Sequence, residues 1–336
     1  MNFEAYQGTR PVADAHRFDV AALERYMRAN VEGFSGTLEA EQFKGGQSNP
    51  TYRLAAGGKA YVMRRKPPGK LLPSAHAVDR EYRVITALAG SGVPVPRTYS
   101  LCTDETVIGS MFYVMDCVEG RVLWDPTLPG MARDERAAIF DEMNRVIAAL
   151  HRVDYAAIGL GDYGKPGNYF ARQVDRWSRQ YKASETEKIE AMDRLMEWLP
   201  LNIPPGEATS IVHGDYRIDN MIFHPTEPRV LAVLDWELST LGHPMADFSY
   251  HLMTWRLSGT EFRGLRGCDL AALGIQGEQE YIDKYLQRTG ATNPPSAKDL
   301  AFCMAYNMFR AAAIFQGVMA REIGRASCRE RVCLAV

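Results

Sequence analysis

Residues 213–220 read HGDYRIDN, and fifteen positions after Asn220 stands Asp235, in VLDWE at 233–237. The pattern is an Asp, an Asn five residues on, and a second Asp behind a β-like run. Short strand candidates at Ile211–His213, Met221–Phe223 and Val230–Leu234, flanked by polar residues, carry these side chains. A hard divalent cation wants oxygen ligands. Asn220 and Asp235 offer an amide carbonyl and a carboxylate, leaving the remaining positions to phosphate oxygens and water. Asp215 is then free to accept or orient the proton of a hydroxyl group. The plainer alternative makes Asp215 and Asp219 loop caps and Asp235 a turn former. One motif alone is only suggestive; the spaced pair favours chemistry.

This spacing follows the logic of the catalytic and metal loops of kinases. Asp215, Asn220 and Asp235 are therefore expected to be catalytic, with Asn220 and Asp235 holding Mg2+ and ATP supplying the phosphoryl group. His213 is expected to brace the loop backbone and Asp219 to be solvated.

Upstream, the turn FKGGQSNPTY (43–52) joins two strand candidates. Gly45 and Gly46 permit close backbone approach to phosphates, and Gln47, Ser48 and Asn49 add donors. Such a turn needs no ligand, but the strand that follows, AYVMRRK (60–66), brings cations. Side-chain alternation puts Val62 and Arg64 on one face and Met63 and Arg65 on the other. Alignment with the Val-Ala-Ile-Lys strand of protein kinases sets Arg64 at the phosphate-binding position, with Glu81 on the next helix as its partner. Arg65 is the competitor. An Arg fork is bulkier than Lys and always charged.

The N-terminal part reads as a helix over 19–31 with Leu23, Tyr26 and Met27 in register, then strands over 37–44, 51–55 and 60–65 forming an antiparallel meander. A helix over 76–89 follows, ended by Gly90 and Gly92, then strands over 97–101 and 111–118. From about residue 130 the pattern is mostly helical, through 134–153, 171–199 and 301–322. Small sheet first and helices second argue for an α+β chain with a cleft between two lobes. The expected division is a nucleotide-binding lobe over 1–117 and a catalytic, acceptor-binding lobe over 118–322, with the seam near Met115–Gly120. Residues 323–336 are expected to be a non-native tail, because Ile323–Val332 (IGRASCRERV) reads like a translated sequencing adapter on a truncated gene. Gly159, Gly161 and Gly164 spell G-x-G-x-x-G, but they follow a helical segment and lead into more loop. A dinucleotide fingerprint must follow a strand and open a helix. They are expected to form a surface loop.

With 336 residues the chain is longer than one core usually grows, which agrees with two lobes. A formal charge of -2 gives no field to hold nucleic acid or an anionic membrane. No apolar run approaches a membrane span and the start lacks a signal-peptide pattern, so a cytoplasmic location is expected. The six cysteines, at 102, 117, 268, 303, 328 and 333, have no metal or disulfide spacing and are expected to be free thiols.

GGQSNPTYRL (45–54), YVMRRKPPGKLLPSAHAVDREYRV (61–84), IVHGDYRIDN (211–220) and VLDWELSTLGHPMADF (233–248) resemble the aminoglycoside phosphotransferase and choline kinase superfamily over nearly all of residues 10–322. The resemblance implies a bilobal protein-kinase-like fold, small antiparallel-sheet N-lobe and mostly helical C-lobe. It implies Asp215 as the catalytic Asp, Asn220 and Asp235 as magnesium ligands, and Arg64 with Glu81 as the phosphate-positioning pair. The adenine hinge would be backbone near Met115, Cys117 and Val118, and Asp247 would brace the core. The last three motifs resemble the branch whose relatives occur beside or fused to acyl-CoA dehydrogenases. For that branch the implied acceptor is a hydroxyacyl-CoA, such as a 4-hydroxyacyl-CoA. Two alternatives stand beside it: an aminoglycoside or amino-alcohol kinase, for which no run of carboxylates stands out, and a non-catalytic nucleotide-binding module, suggested by Arg64 and the altered tail.

Overall fold

The structure, a computed structural model, describes residues 8–44, 49–67, 77–292 and 294–333, with backbone alone for 261–262 and 321–333. Thr9–Arg10 (β1) is a short edge strand paired with β2 (Glu39–Phe43). Between them, Asp19 caps α1 (Val20–Asn30): its Oδ1 accepts the Ala22 N–H at 2.9 Å, satisfying an amide that the helix itself cannot. Leu23 and Met27, four apart, are buried on one side of that helix.

The strands β3 (Thr51–Ala56) and β4 (Lys59–Arg65) form the expected meander, and β6 (Phe112–Asp116) separates β4 from β5 (Thr98–Cys102). The resulting antiparallel order is β1-β2-β3-β4-β6-β5. Alternation along β4 divides the sheet into two environments. Tyr61 and Met63 join Tyr52, Leu54, Phe112, Val114 and α1 in one core; Val62, with Tyr113 and Met115 of β6, joins the other core on the opposite face. Burying each of these large apolar side chains contributes about 1.5–3 kcal/mol. On that second face lies α2 (Val78–Leu88), whose buried stripe is Val78, Glu81, Val84, Ile85 and Leu88. A carboxylate in such a stripe is costly unless paired, which singles out Glu81 from geometry alone.

The C-terminal part is built around α3 (Arg133–Arg152), with Ile139, Phe140, Met143, Val146, Ile147 and Leu150 inside. Helices α4 (Tyr169–Ser184) and α5 (Glu190–Leu201) precede four short strands: β7 (Ser210–Val212), β8 (Met221–Phe223), β9 (Val230–Val233) and β10 (Thr240–Gly242). β8 pairs with β9, and β7 pairs with β10, all antiparallel. β10 had no signal in the sequence. Three residues carry too little pattern, and the strand exists because Leu241 lies opposite Ile211. Helices α6 (Pro244–Arg256), α7 (Gly259–Phe262), α8 (Leu270–Leu273) and α9 (Glu278–Thr289) follow. The last helix, α10 (Ala297–Cys333), packs on α6 and α4, and its backbone continues through positions 323–333.

Backbone hydrogen bonds are among the links that join the parts. Arg121 and Phe223 exchange backbone hydrogen bonds of 2.7 and 2.8 Å, and the Val233 N–H donates to Pro94 O at 2.9 Å. Cys102, Cys117, Cys268 and Cys303 are free thiols. Among the described residues no helix is long and apolar enough to cross a membrane.

Candidate active site

The HGDYRIDN segment lies between β7 and β8, and a buried aspartate shapes it. Asp247, on α6, accepts the His213 N–H at 2.7 Å and the Gly214 N–H at 2.8 Å, while His151 Nε2 approaches it at 3.2 Å. Burial would raise its pKa, but the His151 contact and these amides outweigh that and hold it below the usual carboxylate range. His213 Nδ1 receives the Asp215 N–H, so Nε2 is left to donate to Leu234 O at 2.8 Å. His213 therefore ties the 215 loop to the 235 loop through backbone groups.

Asn220 does the same from below. Its Nδ2 donates to Asp215 O at 2.9 Å and to Asp215 Oδ2 at 3.0 Å, and its backbone carbonyl accepts the Leu234 N–H at 2.8 Å. With the amide nitrogen so engaged, Oδ1 is the Asn220 side-chain atom left to act as a ligand. Asp235 adopts a left-handed backbone (φ 65°), a strained conformation that short polar residues tolerate and that concentrates at functional sites. An amide oxygen and a carboxylate on adjoining loops suit magnesium, which takes oxygen ligands and shares them with phosphates.

Next to these loops a cleft of about 720 Å³ opens between the sheet and the C-terminal part, with Val62, Arg64, Met115, Cys117, Asp235 and Trp236 in its walls. Arg64 bridges it. The guanidinium lies 3.0 Å (Nε) from Glu81 Oε2, 2.8 Å (Nη2) from Asp235 Oδ1 and 3.6 Å (Nη2) from Glu237 Oε2. Burial pulls the Arg64 pKa down, but Glu81 and Asp235 more than reverse this and keep it charged. Burial pushes the Glu81 pKa up, and Arg64, Tyr113 (3.2 Å) and Asn49 (2.8 Å) oppose the rise as donors to the carboxylate. Arg65 points away, buried on the other face with its guanidinium 5.7 Å from the Phe18 ring. Gly120, where the chain crosses between the parts, has no room for a side chain: a Cβ would fall 2.2 Å from Phe223 O.

Thus Arg64, Met115, Cys117 and Asp235 line one cleft, Glu81 and Asn49 are joined to it behind Arg64, and Asp215 and Asn220 are hydrogen-bonded beside the Asp235 loop. Gly45, Gly46, Gln47 and Ser48 lie outside the described residues. One expectation is corrected. Asp219 is not solvated: its side chain is 7% exposed, and its Oδ2 accepts from Arg217 at 3.2 Å and Arg263 at 2.5 Å. Burial beside two guanidiniums explains why this carboxylate stays inside.

A profile of the phosphotransferase enzyme family matches residues 39–298. This chain belongs to that family. The phosphotransferase is 46% identical over 323 residues to "Acyl-CoA dehydrogenase family member 10" of Mus musculus and 44% identical over 334 residues to "Acyl-CoA dehydrogenase family member 11" of Gallus gallus, with 95% of this chain aligned in each. It spans only 30% and 42% of those two relatives' lengths. A crystal structure from Ralstonia eutropha JMP134, provisionally described as an aminoglycoside phosphotransferase, superposes with TM-score 0.84 at 61% identity, covering 92% of this chain and 91% of that one. A choline kinase from Cryptosporidium parvum Iowa II shares the fold at TM-score 0.58 and 11% identity, covering 90% of this chain and 96% of that one.

Several neighbours of Asp215 escaped the sequence reading. Tyr250 donates to Asp215 Oδ1 at 2.5 Å, and burial together with that carboxylate raises its pKa, keeping the proton on the phenol. Arg217 Nε lies 3.2 Å from the same oxygen. Arg310, buried in α10, donates to Gly214 O at 2.6 Å and stacks 5.3 Å from the Tyr250 ring. Arg217 and Glu237 stand inside the quoted motifs, and Tyr250 is three residues after Asp247. A lone Arg in the apolar run of α10 was a further signal, since a charge on a buried face needs a reason.

Proposed function

We propose that this phosphotransferase moves the γ-phosphoryl of ATP, bound with Mg2+, onto a hydroxyl of a hydroxyacyl-CoA. The observation that carries the reading is the hydrogen-bonded union of Asp215 and Asn220 with the Asp235 loop at the edge of a cleft spanned by Arg64. In the transfer the acceptor oxygen bonds to the γ-phosphorus and the bond to the β–γ bridging oxygen breaks. The electron pair leaves with ADP, and the hydroxyl proton goes to Asp215 Oδ. Tyr250, Arg217 and Asn220 fix that carboxylate. Arg64, positioned by Glu81, holds the phosphates, and the hinge from Met115 through Cys117 to Gly120 meets the base. Asn220 Oδ1 and Asp235 would hold the magnesium ion, which neutralises phosphate charge when bound.

The curated relatives bear acyl-CoA dehydrogenase names, which supports the acceptor. A polycationic aminoglycoside wants a concentrated set of carboxylates, and no run of carboxylates stands out in the C-terminal half. The aminoglycoside reading draws on the description of the Ralstonia relative, and drug resistance conferred on a sensitive host would favour it. The test is ADP formation on a panel of hydroxyacyl-CoAs, 4-hydroxyacyl-CoA included. Turnover is expected to require the thioester and to fall by about 1,000-fold or more in Asp215→Ala; indifference to every hydroxyacyl thioester would sink the acceptor assignment.

A further inference from the structure

The glycine-spaced segment at 159–164, expected to be an idle surface loop, is wedged between two elements of the site. Gly159, Gly161 and Asp162 are exposed, but Leu160 and Tyr163 are buried. On one side it meets α2. Arg80 Nη2 donates to Tyr163 O at 2.7 Å, the Tyr163 hydroxyl returns a bond to Arg80 O at 3.3 Å, and the Arg80 guanidinium stacks 4.3 Å from the Tyr163 ring. One turn along, Arg83 Nη2 donates to Gly159 O at 2.8 Å and pairs with Asp162. On the other side the segment presses on β10. A Cβ on Gly164 would stand 2.5 Å from Thr240 Oγ1 and 2.7 Å from Leu241 N, so only glycine allows this approach.

Arg80 flanks the buried stripe that carries Glu81, and Arg83 lies on the far side of the helix from Glu81. We propose that residues 159–164 are a built-in brace that holds α2 against the C-terminal part, keeping Glu81 engaged with Arg64. Arg80 and Arg83 are then positioning residues for phosphoryl transfer. The proposal rests on the phosphotransfer reading for its kinetic consequence and on geometry alone for its mechanical one. Rotating or lifting α2 would withdraw the Glu81 carboxylate from Arg64 Nε, now 3.0 Å away, and leave the guanidinium held by Asp235. The Arg83–Asp162 pair is largely exposed and adds little to global stability, so its loss isolates position from folding.

Charge reversal separates these effects. Arg83→Asp and Asp162→Arg, each alone, are expected to lower kcat/KM for Mg-ATP about fivefold or more and to speed amide hydrogen exchange over residues 78–88. The double variant, with the pair reversed, is expected to regain part of both, because Arg83→Asp with Asp162→Arg restores the ion pair but not the bond to Gly159 O. Unchanged kinetics and unchanged exchange in the single variants would overturn the brace. If the wild-type protein turns over no nucleotide, the phosphotransfer reading fails, and exchange still decides the brace. Protection lost in the singles and partly restored in the double upholds it, and protection unmoved in the singles removes it.

Discussion

Arg64 concentrates the residue-scale physics. Its Nε serves Glu81 and its Nη2 serves Asp235, so one planar group spans both walls of the cleft, which a compact lysine ammonium matches poorly. Glu81 is 1% exposed. Removing its cationic partner leaves a buried carboxylate supported only by neutral donors. Arg64→Ala is therefore expected to lose roughly 3 kcal/mol of stability, read as a lowered urea midpoint, and to cut kcat/KM for Mg-ATP about 100-fold. A stability change under about 1 kcal/mol would contradict the account, since breaking a buried ion pair costs more than that.

At the scale of elements, the hinge and the short strands matter most. Gly120 passes Phe223 O where the backbone bridge to Arg121 holds that carbonyl in place, so a methyl group at 120 cannot be absorbed by a side-chain turn. Gly120→Ala is expected to cost about 1–3 kcal/mol and to raise KM for ATP, as the hinge wall of the cleft shifts. Equal KM with wild-type thermal stability would show that the hinge accommodates the methyl. The β3–β4 meander and α2 were legible because turn residues and apolar periodicity mark them locally. β10, and the docking of 159–164 on it, were not, because both exist through contacts between segments distant in sequence.

For the whole molecule, two histidines in the helical part, His251 buried and His243 half-buried, set an acid limit. Burial, and for His243 also the neighbouring His151, lowers the pKa from the ordinary 6.5 to about 4 in His243; burial does the same in His251. The unfolded chain takes these protons near pH 6.5, the folded chain only near pH 4, so in that window the unfolded state binds more protons. The stability is full above pH 6.5 and declines as the pH falls toward 4, by up to roughly 3 kcal/mol per histidine. Urea unfolding at pH 7.5, 6 and 5 checks this; stability that stays flat from 7.5 to 5 contradicts it.

The sequence by itself determined the order of sheet and helices, the Asp215, Asn220 and Asp235 triplet, and the pairing candidates Arg64 and Glu81. The triplet rests on short-range spacing, and Arg64 with Glu81 on alignment to the kinase strand and helix, both of which a linear pattern carries. Tertiary structure decided what surrounds them: Tyr250 and Arg310 on Asp215 and its loop, Asp219 buried between two arginines, Arg65 turned to the far core, and the 159–164 segment against α2. Each of these depends on which distant surfaces exclude water from one another. Burial determines whether a charged side chain is solvated or must find a partner, and it arises only once the chain has closed.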